Sequence, residues 1–158
     1  MRFLCVMDQA EVPYLVCSRR VASMVTHWVS GRSVPCVKRY DVHGKPLDDD
    51  VYCPNCTPEI SRRWVGYLHV VNARNGQQFF LTLPPGAGFN LIDPLPDDYN
   101  LRGRKLYVRR ETASPQSALL VRLDPTFLNA ESLPAEKAPE EYLVTLFKRV
   151  EHLTKPRS

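Results

Sequence analysis

Residues 62–83 read Arg62-Arg63-Trp64-Val65-Gly66-Tyr67-Leu68-His69-Val70-Val71-Asn72-Ala73-Arg74-Asn75-Gly76-Gln77-Gln78-Phe79-Phe80-Leu81-Thr82-Leu83. Period-two reading puts Trp64, Gly66, Leu68 and Val70 on one strand face and Val65, Tyr67, His69 and Val71 on the other. Asn75-Gly76 tolerates the positive φ of a tight turn. A hairpin joining 64–72 to 77–83 follows, and it makes the chain mainly β.

Downstream, Pro84-Pro85-Gly86-Ala87-Gly88 reads as a loop and Phe89–Ile92 as one helical turn. Lys105–Glu111 is a second strand, with Leu106 and Val108 on one face and Lys105, Tyr107 and Arg109 on the other. Ser114–Ser117 turns it into Ala118–Leu123, and Asp124-Pro125 stops the pair. Upstream, Tyr14–Cys17 reads as a strand, and Val21–Trp28 as a strand or a short helix. Residues 1–125 are thus one β-domain, 126–138 a Pro-, Ala- and Glu-rich linker, and 139–153 a helix. Pro139-Glu140-Glu141 starts that helix as proline and acids should, and Leu143, Leu146, Phe147 and Val150 form its apolar stripe.

The 158 residues suit one core, and 44% apolar content is ordinary for a globular chain. No stretch reaches the ~20 apolar residues of a membrane span, so no membrane partner is expected. Fourteen prolines against seven glycines favour short strands and rigid turns over long helices. The net charge of +4 lies wholly in residues 1–126, with sixteen basic and twelve acidic side chains. Within 101–122 stand Arg102, Arg104, Lys105, Arg109, Arg110 and Arg122 against Glu111 alone. A basic strand face with an aromatic at its centre suits a phosphate backbone.

Between the β-regions lies Cys36-Val-Lys-Arg-Tyr-Asp-Val-His-Gly-Lys-Pro-Leu-Asp-Asp-Asp-Val-Tyr-Cys-Pro-Asn-Cys56. Cys53 and Cys56, turned by Pro54, make half of a tetrahedral zinc knuckle, and Cys36 is a natural third ligand. Ser33 stands where a paired cysteine would complete a ribbon, so the fourth ligand comes from His27, His43 or Cys17. His27 leads, because Gly31 supplies the bend toward Cys36. Cys17 reads as a small buried hydrophobe, and Cys5 has no assigned role. A redox pair lacks a βαβ setting, and five cysteines are an odd number for disulfides. The zinc loop, 27–58, is expected to be structural. A catalytic zinc needs an open position and a carboxylate base, and no His-x-Glu or His-Glu-x-x-His pattern occurs.

Two hairpins, an inserted zinc loop and a C-terminal amphipathic helix suggest a small OB-like β-barrel. Cys36, Cys53 and Cys56, the run Arg62–Tyr67 and the basic hairpin Arg104–Arg110 give residues 12–124 a resemblance to zinc-ribbon-bearing OB modules of single-strand-binding proteins. That resemblance implies a non-catalytic protein that stacks bases on aromatic rings and tracks phosphates with cations. Tyr67, Tyr107, Arg62, Arg63, Arg104, Lys105 and Arg109 are the expected contacts. Trp64 and Tyr67 read either as core or as ligand-facing rings, with core favoured for Trp64. The competing expectation is an adaptor that docks on a larger assembly through the zinc loop and C-terminal helix. No nucleophile–base order or paired carboxylate supports an enzyme. Reliance on thiols points to a reducing, cytoplasmic setting.

Overall fold

The computed structural model describes residues 1–38, 40, 45, 47, 52–124, 126, 130–139, 141 and 142. His43, the Asp48–Asp50 run and the expected helical stripe Leu143, Leu146, Phe147 and Val150 lie outside them.

The elements complete among the described residues are eight strands and one α-helix: β1 (Arg2–Leu4), β2 (Val12–Val16), β3 (Ala22–Val29), β4 (Arg32–Pro35), β5 (Arg62–Asn72), β6 (Gln78–Leu83), α1 (Pro85–Ile92), β7 (Lys105–Arg110) and β8 (Leu119–Asp124). They form a single mixed sheet in the order β1-β6-β5-β2-β7-β8, with β3 pairing β5 and β4. The mainly β expectation holds. A closed barrel does not follow, because no ladder among the described residues joins β8 to β1 or β6.

Strand β5 organises the sheet through its length. Its first half pairs β3, from Ala22↔Tyr67 to His27↔Arg62, and its second half pairs β2, from Tyr14↔Asn72 to Val16↔Val70. On its other edge runs β6, from Gly66↔Leu83 to Val71↔Gln78. The turn carries Gly76 at φ 74°. A five-residue connection, 73–77, closes it, with Gly76 N–H donating to Asn72 O at 2.9 Å. Val21–Trp28, ambiguous by periodicity, is a strand because β4 and β5 hydrogen-bond both its edges.

Trp64, Leu68 and Val70 of β5 meet Leu81 and Leu83 of β6, Leu106 and Val108 of β7, and Val16 of β2 in one core. The opposite face of β5–β6 is also covered. Phe3 of β1 packs edge-on to Tyr67 at 5.3 Å and stacks on Phe80 at 5.2 Å, and Tyr142 meets Phe80 at 5.1 Å. This parallel β1–β6 pairing (Arg2↔Phe79 to Leu4↔Leu81) ties down an N-terminus whose sequence signals no strand.

Helix α1 begins four residues earlier than the expected turn, on Pro85 at its first position. Proline is pre-set for that place, and Gly88 is there for packing: a Cβ would stand 2.3 Å from the Trp64 ring.

The segment expected as a linker lies against the sheet. Arg102 donates to the carbonyls of Cys17 and Pro134 at 2.8 Å, and to those of Ala130 and Leu133 at 3.2 and 3.3 Å. His69, fully buried, completes the clasp: its Nε2–H donates to Gln78 Oε1 at 2.9 Å and its Nδ1 accepts from Lys137 N–H at 3.2 Å. The Lys137 bond requires the neutral ring, because a protonated Nδ1 cannot accept it. Burial first, and then nearby Lys137 and Arg102, hold His69 below its ordinary value of 6.5, against the Gln78 bond. The unfolded chain therefore binds the extra proton, and stability present above pH 6.5 falls as pH drops below it. At pH 5.5 the loss through this group is at most about 1.4 kcal/mol. Urea titrations at pH 7.5 and 5.5 should show this loss in the wild type and not in His69→Gln; equal pH slopes in both would refute it.

Candidate functional site

Three separate turns of the chain bring four ligand atoms together. His27 lies near the end of β3, opposite Val34 of β4 and Arg62 of β5. Cys36 follows β4 and is fixed by its N–H to Val25 O, 2.9 Å. Cys53 and Cys56 sit on a knuckle turn closed by Cys56 N–H to Cys53 O, 3.2 Å. Their ligand atoms all lie within 4.8 Å of one another. His27 Nε2 is 3.4 Å from Cys56 Sγ and 3.7 Å from Cys53 Sγ, while Cys36 and Cys56 Sγ are 3.5 Å apart. Ligands at ~2.3 Å (sulfur) and ~2.0 Å (nitrogen) from a tetrahedral ion stand about 3.5–3.8 Å apart. The four residues sit close enough to hold a metal ion, and His27 supplies the fourth position. Cys17 is buried elsewhere, its thiol pushed up to about 11 by burial first.

The surroundings orient these ligands. His27 Nδ1 lies 3.3 Å from Ser61 O, an acceptor, so Nδ1 carries the proton and the Nε2 lone pair points at the thiols. Tyr40 Oη is 3.2 Å from Cys36 Sγ and 3.9 Å from Cys56 Sγ. Its phenol is pushed up to about 12, by burial first and the Cys36 bond next, so it stays a donor toward sulfur. Arg62 donates to Tyr40 Oη at 3.5 Å and stands 5.7 Å over its ring. Neither Tyr40 nor Ser61 carries a sequence signal for this role.

Charge within the cluster is unevenly shared. Burial opposes a thiolate at Cys53, yet the N–H groups of Val37 and Asn55 and the Cys56 and Cys36 thiols outweigh it and bring it down to about 6. Cys56 goes up, through burial first and then its bonds to Cys36 and Cys53. One anion in the cluster makes a second costly until a cation joins them.

The expected nucleic-acid contacts divide into several places. Lys105, Tyr107 and Arg109 share the outward face of β7, alternating with buried Leu106, Val108 and Arg110. Arg122, opposite Tyr107 on β8, lies 4.1 Å from that ring's centre, and Lys105 Nζ lies 5.6 Å from it. Arg122 also grips Glu11 through bonds of 2.9 and 3.2 Å, which hold the Glu11 carboxyl below the usual carboxylate range. Arg104 stands 5.4 Å over the Tyr99 ring. Arg62 belongs to the metal cluster and Arg63 lines a separate cavity. Tyr67 corrects the expectation: it is buried against Phe3 and offers no ring face to a base. Arg110 is likewise buried, donating to Val6 O and Ser117 O at 2.8 Å.

No protein-family model, curated protein or solved structure matches the chain.

Proposed function

We propose that this chain is a non-catalytic, zinc-stabilised β-protein that binds single-stranded nucleic acid along β7 and β8. The observation that carries the reading is the outward strip of Lys105, Tyr107, Arg109 and Arg122, cations around one aromatic ring. Three thiols and an imidazole are a donor set suited to zinc, whose closed tetrahedral sites serve structure. The ion would hold the β3–β4 hairpin, the Cys53–Cys56 knuckle and the start of β5 together.

The connectivity supports an OB-like reading. The β2–β3 stretch flanks β5, β5 and β6 form a hairpin, α1 connects β6 to β7, β7 returns to β2, and β8 pairs β7. Proteins of that architecture bind oligonucleotides on the second and third strands and on the loops after the first and fourth. Here those loops are the metal arm and residues 111–118. The outer face of β5–β6 is occupied by Phe3 and Tyr142, which shifts the available surface to β7.

Fluorescence anisotropy with labelled single- and double-stranded oligonucleotides at two salt concentrations tests the reading. Tyr107→Ala should weaken single-strand binding by about 1–3 kcal/mol. Arg109→Ala should reduce the salt slope by about one phosphate contact. Glu11→Gln should tighten binding, because it removes the carboxylate that neutralises Arg122. Folded, metal-loaded protein that binds no strand at low salt would defeat the proposal.

A protein-docking reading is favoured by one observation. Trp28, Val37 and Tyr52 are exposed, and each adjoins a metal-cluster residue in the chain. Gathered into one patch around the metal ligands, such side chains would offer a partner an apolar surface. It leads if strand binding fails.

A further inference from the structure

We propose that the cavity between α1 and the β7–β8 turn is a binding site for a small phosphate monoester of about mononucleotide size. This inference rests on the cavity, which shares the 111–118 loop with the strand-binding reading but uses none of the Lys105, Tyr107, Arg109 and Arg122 strip. The cavity measures about 560 Å³ and is lined by Arg63, Thr82, Gly86, Asn90, Arg110 and Gln116 among others.

Two independent features give it an anion's complement. First, Arg63 and Arg110 bring two guanidinium charges, and among the described residues the lining contains no Asp or Glu. Arg110 is nine-tenths buried, and its bonds go to the neutral carbonyls of Val6 and Ser117. Among the described residues no carboxylate pairs with it, so part of the cost of burying this charge stands, and an anion in the adjoining space would offset it. Second, the start of α1 faces the same space. Pro84 at the cap gives no side-chain hydrogen bond, and no acid stands in the first turn. The N–H groups of Gly86 and Ala87 precede the first intrahelical bond, Gly88 N–H to Pro84 O at 2.9 Å, so they lack helical partners. With the helix dipole they favour an anion there. At Gly86 a Cβ would meet nothing within 4 Å, so the approach is open.

The rest of the ligand can be inferred from the remaining wall. Val65, Leu119 and Leu120 supply apolar surface, while Thr82, Asn90 and Gln116 supply hydrogen-bonding groups. A bare phosphate ion would leave most of that volume empty. A phosphate on a sugar or ring-bearing carrier would fill it.

The experiment is an amide-resolved NMR titration of the whole metal-loaded protein with adenosine 5′-monophosphate, inorganic phosphate and adenosine. The monophosphate should shift the Gly86, Ala87 and Asn90 amides and bind at least about tenfold more tightly than inorganic phosphate, while adenosine leaves them unmoved. Arg63→Gln should weaken binding by about tenfold. Gly86→Asp is the decisive variant: its carboxylate takes the helix start, so binding should vanish while the urea midpoint holds or rises. Failure of the monophosphate to move those amides would overturn the proposal. So would equal binding by Gly86→Asp, or tighter binding of adenosine. Neither Tyr107→Ala nor Arg109→Ala should alter this titration, which separates its failure from that of strand binding.

Discussion

Cys53→Ser is expected to abolish zinc retention and lower the thermal midpoint by about 10 °C, equivalent to about 3 kcal/mol or more in a chain of this size. The size of the effect follows from what the metal arm lacks. Among the described residues from 36 to 63, Cys53 alone is buried; Cys36 and Tyr40 only pack partly against the main core. An arm without a core of its own depends on a staple, and four ligand atoms within 4.8 Å are that staple. Cys53 also carries the lowered thiol, so serine removes the ligand that most readily becomes an anion. Metal analysis of purified protein should give one zinc per chain for the wild type and for Cys5→Ser, whose thiol is exposed and outside the cluster. It should give essentially none for Cys53→Ser. A chelator should lower the wild-type midpoint toward that of the variant. A wild type whose midpoint ignores the chelator, or a Cys53→Ser protein that keeps its zinc, would remove the metal from the account.

The metal cluster was legible because its signal is local. Two cysteines three positions apart announce a knuckle, and Cys36 and His27 lie within reach by way of one glycine bend. Tyr40 and the Ser61 carbonyl were not, since a phenol or a main-chain oxygen acquires its role only from position. The β5–β6 hairpin was legible for the same local reason. What β5 faces was not, because both of its faces are covered: Trp64, Leu68 and Val70 by the core, Tyr67 by Phe3. Alternation then marks two faces without naming a wet one. The basic run 101–122 shows a similar limit. Charge counting treats its six cations alike, whereas Arg102 and Arg110 serve main-chain carbonyls and Arg122 is paired with Glu11. Parallel pairing of β1 with β6 joins segments about 77 residues apart, Arg2 with Phe79, and no short window could reveal it.

Gly88→Ala should cost about 3 kcal/mol, the upper end of the usual range for an overpacked core, although alanine is the better helix former. A Cβ at Gly88 would lie 2.3 Å from Cη2 and Cζ3 of Trp64, and one at Gly66 would lie 2.6 Å from the same Cη2. The indole is thus held between two glycines, one on α1 and one on β5. Phe89 packs on it at 4.7 Å, and the indole is only 6% exposed. Its Cη2 would already be 2.6 Å from a Gly66 Cβ, so a retreat from Gly88 runs toward the β5 backbone. Helix α1 must therefore move, and with it the contacts α1 makes on β5 and β8. Trp64→Phe removes the outer indole ring carbons, and also the Nε1–H, which is buried with no hydrogen-bond partner among the described residues. In that background the added methyl has room. The double variant Trp64→Phe/Gly88→Ala should accordingly be more stable than the sum of its two single changes predicts, by about 1–3 kcal/mol in a urea-denaturation cycle. Additive losses would show that the indole does not set the spacing of α1. Gly86→Ala is the internal control, being on the same helix with nothing within 4 Å of its Cβ; it should be neutral or stabilising.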